Sequence, residues 1–151
     1  MERARKQQRI VEELTSNDAS VWYDFQLDSI KNGTEPCPFP DNATILAHVL
    51  GIDFFHNVEW VVLGRTDVVR SLSVAWPVEN RELEIADVEK LKALPRLKHV
   101  TIFKLVSFED VRLISECKNI KKLILASYIG DANTLTTVSP QRPDLEISVI
   151  Y

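Results

Sequence analysis

The side chains that could do chemistry are few and lie far apart. Three aspartates, Asp87, Asp110 and Asp131, recur along the second half of the chain, and carboxylates paired at a fixed spacing are what general acid–base work uses. Each stands at the expected start of a helix, however, where a negative side chain is favoured by the positive end of the helix dipole. Their recurrence therefore reads as structural. His48, His56 and His99 are scattered, and His99 has no serine or carboxylate at a spacing that suggests a triad. Cys37 and Cys117 are too few for a disulfide framework, and neither has a second ligand nearby for a metal. With four glycines and no G-x-G-x-x-G or P-loop pattern, a phosphate cradle is not expected. The residues thus predict no catalytic group, no metal site and no cofactor.

The elements that must position these side chains are set by an internal repeat. Leu97, Val100 and Ile102 are each followed 23 positions later by Ile120, Leu123 and Leu125, and both triplets have the spacing L-x-x-L-x-L. Asp87, Val88, Leu91 and Leu94 return at the same interval as Asp110, Val111, Ile114 and Cys117. Cys117 thus takes a leucine column and reads as a small buried hydrophobe. A strand and a helix of this length cannot bury their apolar faces alone, so such units stack. Val100 is expected above Leu123 and below Val61 in one ladder. The strands are expected to be parallel, because every connection returns through a helix.

At 151 residues, 45% hydrophobic and 26% charged, the chain suits one domain with a real core. A net charge of −4 argues against general affinity for nucleic acid or anionic membranes while leaving room for a local basic patch. Residues 2–14 read as a helix with Arg3, Arg5, Lys6 and Arg9 crowding its first half and a short stripe of Ile10, Val11 and Leu14. That stripe is too short to anchor a core, so the helix is expected to be dispensable for folding. Asn17 and Asp18 end it, and residues 19–25 read as a strand.

Residues 28–42, with Asn32-Gly33 and three prolines, read as an extended connection, and 45–50 as a short helix closed by Gly51. Val58, Val61 and Leu63 repeat the strand spacing. Residues 65–86 hold an irregular repeat or an insertion, with Val69, Leu72 and Val74 able to supply a strand. Beyond them the expected order is helix 87–94, strand 97–103, helix 108–117 opened by a capping box of Ser107 and Asp110, strand 120–126, a helix from Gly130 and Asp131 to Val138, and a terminal strand from Leu145.

On these residues the chain resembles leucine-rich-repeat proteins of the ribonuclease-inhibitor-like type. More narrowly it is similar to short bacterial proteins in which a basic helix and a strand motif, here Val21-Trp22-Tyr23-Asp24-Phe25, precede an Asp53-Phe54-Phe55 segment and a few repeats. Of the Thr-Asp pair that usually opens the repeat helix only the aspartates survive, and the asparagine that usually follows the third ladder residue is replaced by Phe103 and Ala126. The resemblance implies an α/β fold, a short right-handed solenoid with a parallel sheet on one face and helices on the other. It implies an N-terminal cap over 1–57, a solenoid over 58–151, and one compact domain in all. It also implies recognition rather than catalysis, and a membrane tether ahead of the basic helix that would make this chain the soluble, exposed part of an anchored protein.

By the period of two along a strand, the outward columns are Trp60, Val62 and Gly64, then His99, Thr101 and Phe103, then Lys122, Ile124 and Ala126. Trp60, Val62, Phe103 and Ile124 form an expected apolar patch. It is either a protein-binding surface that includes His99 and Thr101 or a face covered by another part of the chain. The expected function is a non-catalytic protein-interaction module that does not bind nucleic acid. The alternative is a small α/β enzyme or ligand-binding domain with a pocket at the C-terminal strand ends, for which Asp67 and His99 are the best polar candidates.

Overall fold

The structure is a computed structural model and describes residues 2–31, 56–64, 81–138 and 140–150, with side chains to 27 in the first stretch. The expected helix at 45–50, the expected strand near 69–74, and the residues Asn32, Cys37, His48 and Asp67 lie outside the described residues.

Helix α1 (Glu2–Ser16) leads into strand β1 (Ala19–Tyr23) and helix α2 (Asp24–Lys31). Strand β2 (Val58–Leu63) follows, then α3 (Ile85–Lys92), β3 (His99–Ile102), β4 (Val106–Ser107) and α4 (Phe108–Ser115). The chain ends with β5 (Lys122–Leu125), β6 (Tyr128–Ile129), α5 (Ala132–Leu135) and β7 (Glu146–Val149). The fold is α/β, with a mostly parallel sheet. Among the described residues the sheet has five strands, in the order β1-β2-β3-β5-β7. β1 is antiparallel to β2, and the other three pairings are parallel.

The register follows the repeat. Val61 pairs with Val100, Val100 with Leu123, and Leu123 with Ile147. Val61, Val100 and Leu123 are fully buried in one core that also holds Val88, Leu91, Val111 and Ile114 from the helices. Burial of each such side chain contributes roughly 1.5–3 kcal/mol. At the C-terminal strand ends the connections also stack. Val106 pairs with Tyr128, Ser107 with Ile129, and Leu105 with Glu82.

Helix entry is governed by different side chains in each unit. Asp110 and Ser107 form the expected capping box, with Ser107 N and Oγ donating to Asp110 Oδ2 at 2.8 and 2.7 Å and Asp110 N donating to Ser107 Oγ at 3.3 Å. Asp131 stands instead at the N-cap of α5, where Ser107 stands one unit earlier, and accepts from Asn133 N at 2.9 Å. The three aspartates therefore do not occupy one equivalent place. Asp87 sits in the first turn of α3, buried, against Lys104.

Two expectations for the N-terminal segment are corrected. The strand ends at Tyr23, and Phe25 belongs to helix α2. Gln26 Oε1 accepts from Tyr23 N at 3.0 Å, which is half of a capping box without its usual serine or threonine. Helix α1 is also more than a solvated appendage. Gln7, Ile10 and Leu14 are buried, and Ile10 and Leu14 belong to the main core. Among the described residues no helix is long and apolar enough to cross a membrane.

Candidate interaction surface

Strand alternation sends Val61, Val100 and Leu123 to the helices and their neighbours to the opposite face. The pairing register arranges that outer face in two rows. One row runs Trp22, Trp60, His99, Lys122, Glu146, and the other Ser20, Val62, Thr101, Ile124, Ser148.

The rows differ in exposure. Val62, Thr101 and Phe103 are buried at 2%, 6% and 3%, so of the two readings of this face these three positions fit the covered one. Phe103 lies directly over Gly64: its N–H donates to Leu63 O at 2.9 Å, and a Cβ on Gly64 would stand 3.0 Å from the Cβ of Phe103. Gly64 also has a φ of +104°, so a side chain there would meet both strain and a clash. Thr101 accepts a hydrogen bond from Trp60 Nε1 at 3.1 Å, which orients that indole.

What stays accessible is the first row and the two ends of the second, Ser20 on one side and Ile124 and Ser148 on the other. Trp22, Trp60, His99, Lys122, Ile124 and Ser148 are each half-buried. Trp22 and Trp60 stack with centroids 5.9 Å apart and an interplanar angle of 28°. Lys122 Nζ pairs with Glu146 Oε1 at 2.9 Å. The face thus grades from two indoles, through an imidazole, to an ion pair. Of the residues that sequence reasoning proposed, Trp60, His99 and Ile124 remain accessible and Val62, Thr101 and Phe103 do not. Trp22 was missed as a member, although Val21 and Tyr23 on the core side imply that it faces outward.

A second polar cluster ties α1, α2 and β2 together. His56 Nδ1 and Asp24 Oδ1 lie 2.9 Å apart. Asp24 also accepts from Phe25 N at 2.9 Å and Asn57 N at 3.3 Å, and Gln7 Nε2 donates to His56 O at 2.9 Å. Burial works to raise the Asp24 carboxyl, but the bonds from His56, Asn57 and Phe25 together outweigh it, and its pKa lies below the usual value. A histidine–carboxylate pair is the orienting half of a catalytic triad. Here its described partners are Gln7, Asn57 and backbone N–H groups, none of them a nucleophile, and the cluster works as a latch.

Cys117 lines a shallow cleft of about 320 Å³ with Leu91, Leu94, Leu97 and Ile120. It is half-buried rather than buried, and desolvation pushes its thiol pKa up, which makes it a weaker nucleophile at neutral pH. Arg142 fastens the other end of the array: its guanidinium donates to the carbonyls of Ser115, the last residue of α4, and of Cys117 and Ile120 beyond it. With Lys121 it holds Asp144 well below the usual carboxylate range. Among the described residues no group of three His, Cys, Asp or Glu could hold a metal ion. Compared with protein-family models, curated proteins and solved structures, the chain matches none.

Proposed function

We propose that the chain is a short leucine-rich-repeat solenoid of the ribonuclease-inhibitor-like kind, a non-catalytic module that recognises a protein partner with the outer face of its sheet. The observation that carries this reading is the row Val61, Val100, Leu123, Ile147, which lies on parallel strands that are neighbours in both sequence and space. Stacked units of this kind leave one sheet face for contact. Trp22, Trp60, His99, Lys122 and Ile124 supply that face with aromatic anchors and a polar margin, and tryptophans dominate binding energy where partners meet.

The alternative, an enzyme or ligand-binding domain with a pocket at the C-terminal strand ends, is favoured by a reversal in strand order. The described strands run in order without one.

A photo-crosslinking amino acid placed at Ile124, on the outer face, and separately at Ile85, on α3, tests the proposal in the protein's own cells. Partner adducts are expected from Ile124 and not from Ile85. Adducts from Ile85 alone, or from neither position, would overturn the assignment of the sheet face.

A further inference from the structure

We infer that β7 pairs with β7 of a second copy of this chain, antiparallel and about a two-fold axis at Ser148. The first observation is how the buried ladder ends. Val61, Val100 and Leu123 are fully buried, and so are Leu63, Ile102 and Leu125 in the next row. Their counterparts on β7, Ile147 and Val149, pack against the same core yet are only half-buried. An apolar row that stops open on one side calls for a cover. Ile150, just past β7, and Ile129, on the outer strand of the smaller sheet, are two of the three exposed large hydrophobics among the described residues. Apolar exposure thus gathers at this edge.

The second observation is the backbone. Glu146 N–H donates to Lys121 O and Ile150 N–H to Leu125 O, both at 2.8 Å, so the even-numbered residues of β7 turn their backbone groups toward β5. By alternation, Ile147 and Val149 turn their N–H and C=O groups to the open edge. Among the described residues no strand pairs with that edge. The opposite edge of the sheet is protected. There β1 carries a bulge between Trp22 and Tyr23, Gln26 takes the Tyr23 N–H, and the chain turns at once into α2. Edge strands are ordinarily blunted by such bulges, by proline or by lysine, and Glu146–Val149 has none of them.

A second copy is the occupant that fits, because the outward groups are symmetric about Ser148. In an antiparallel pair centred there, Ile147 of each copy faces Val149 of the other, and the two exchange both N–H···O bonds. Their side chains meet on the helix side, apolar against apolar, and carry the ladder into the second copy. Glu146 faces Ile150 rather than another carboxylate, and its charge is already met by Lys122. A centre at Ile147 would instead call on the N–H of Leu145, which already donates to Arg142 O. Head-to-tail pairing of β7 with β1, which would build filaments, is opposed by the bulge. The assembly therefore closes as a dimer. One strand pair is a small contact, so the dimer should dissociate at micromolar concentrations.

Sedimentation equilibrium of the full chain across micromolar concentrations tests this, and a monomer–dimer equilibrium is expected. Val149→Pro removes an outward N–H that the fold does not use. It should weaken the dimer about thirtyfold and leave circular dichroism unchanged. Oxidative crosslinking tests the axis itself. Facing residues of a non-hydrogen-bonded antiparallel pair have Cα atoms about 4.5 Å apart, within disulfide reach. Ser148→Cys should therefore link two chains and Glu146→Cys should not, with peptide mapping locating the bond. If Val149→Pro does not fold, the crosslink decides. A chain that stays monomeric at every concentration overturns the proposal. So does a folded Val149→Pro that dimerises as tightly as the native chain, and so does failure of Ser148→Cys to link.

Discussion

Asp87 Oδ2 and Lys104 Nζ lie 2.8 Å apart, with side chains only 3% and 7% exposed. The pair joins the first turn of α3 to the chain just beyond β3. Lys90 Nζ stands 3.7 Å from the other oxygen of Asp87 and is less deeply buried. Removing one partner of a buried ion pair leaves an uncompensated charge and costs about 3–5 kcal/mol. Asp87→Ala, which strands Lys104, should fall in that range. Lys104→Met should cost less, because Lys90 still faces the aspartate. The double variant should recover much of the loss, since an apolar pair carries no desolvation penalty. Urea denaturation of the three variants checks this, and a double variant as unstable as the sum of the singles would contradict it.

Helix α1 is expected to be an integral cap of the core. Leu14 is fully buried and Ile10 nearly so, and Gln7 donates to His56 O across the sheet end. Leu14→Ala should cost about 2–5 kcal/mol, as other large-to-small core changes do. Deleting residues 1–9 removes the Gln7 and Arg3 contacts and leaves Ile10 on a fraying end, so thermal melting should shift down and broaden. Unchanged melting would restore the reading of a dispensable helix.

These results separate what the sequence carries from what it hides. The 23-residue repeat placed Val100 beside Leu123 because both a strand's period and a stack's register are local properties of the pattern. The burial of Val62, Thr101 and Phe103 was not legible, because alternation says which face a side chain takes but not what covers that face. Lys104 was hidden for a different reason. Lysine is almost never fully buried unless paired, and its partner Asp87 lies at no repeat spacing from it. Trp22 joins the candidate surface only through the antiparallel register of β1 on β2, a long-range pairing with no repeat to announce it. Helix α2 was missed because its entry uses Gln26 to cap Tyr23 without a serine or threonine at the N-cap.

The Asp24 latch makes stability depend on acid. Burial raises the Asp24 carboxyl, but the bonds from His56, Asn57 and the Phe25 N–H outweigh it and leave the folded pKa below the ordinary aspartate value. A group with a depressed folded pKa contributes stability that is complete above its unfolded pKa and is lost as pH falls through the folded value. The loss from this group should therefore fall below about pH 4. Asp144, held low by Arg142 and Lys121, acts with the same sign in the same region, so the two must be separated. Asp144 sits on the surface, and added salt should screen its share, whereas the hydrogen-bonded Asp24 cluster should be less sensitive. Urea midpoints followed from neutral pH downward should fall more steeply for the native chain than for Asp24→Asn, and the difference should persist in high salt. Parallel curves for the two proteins would show that the latch does not set the acid limb.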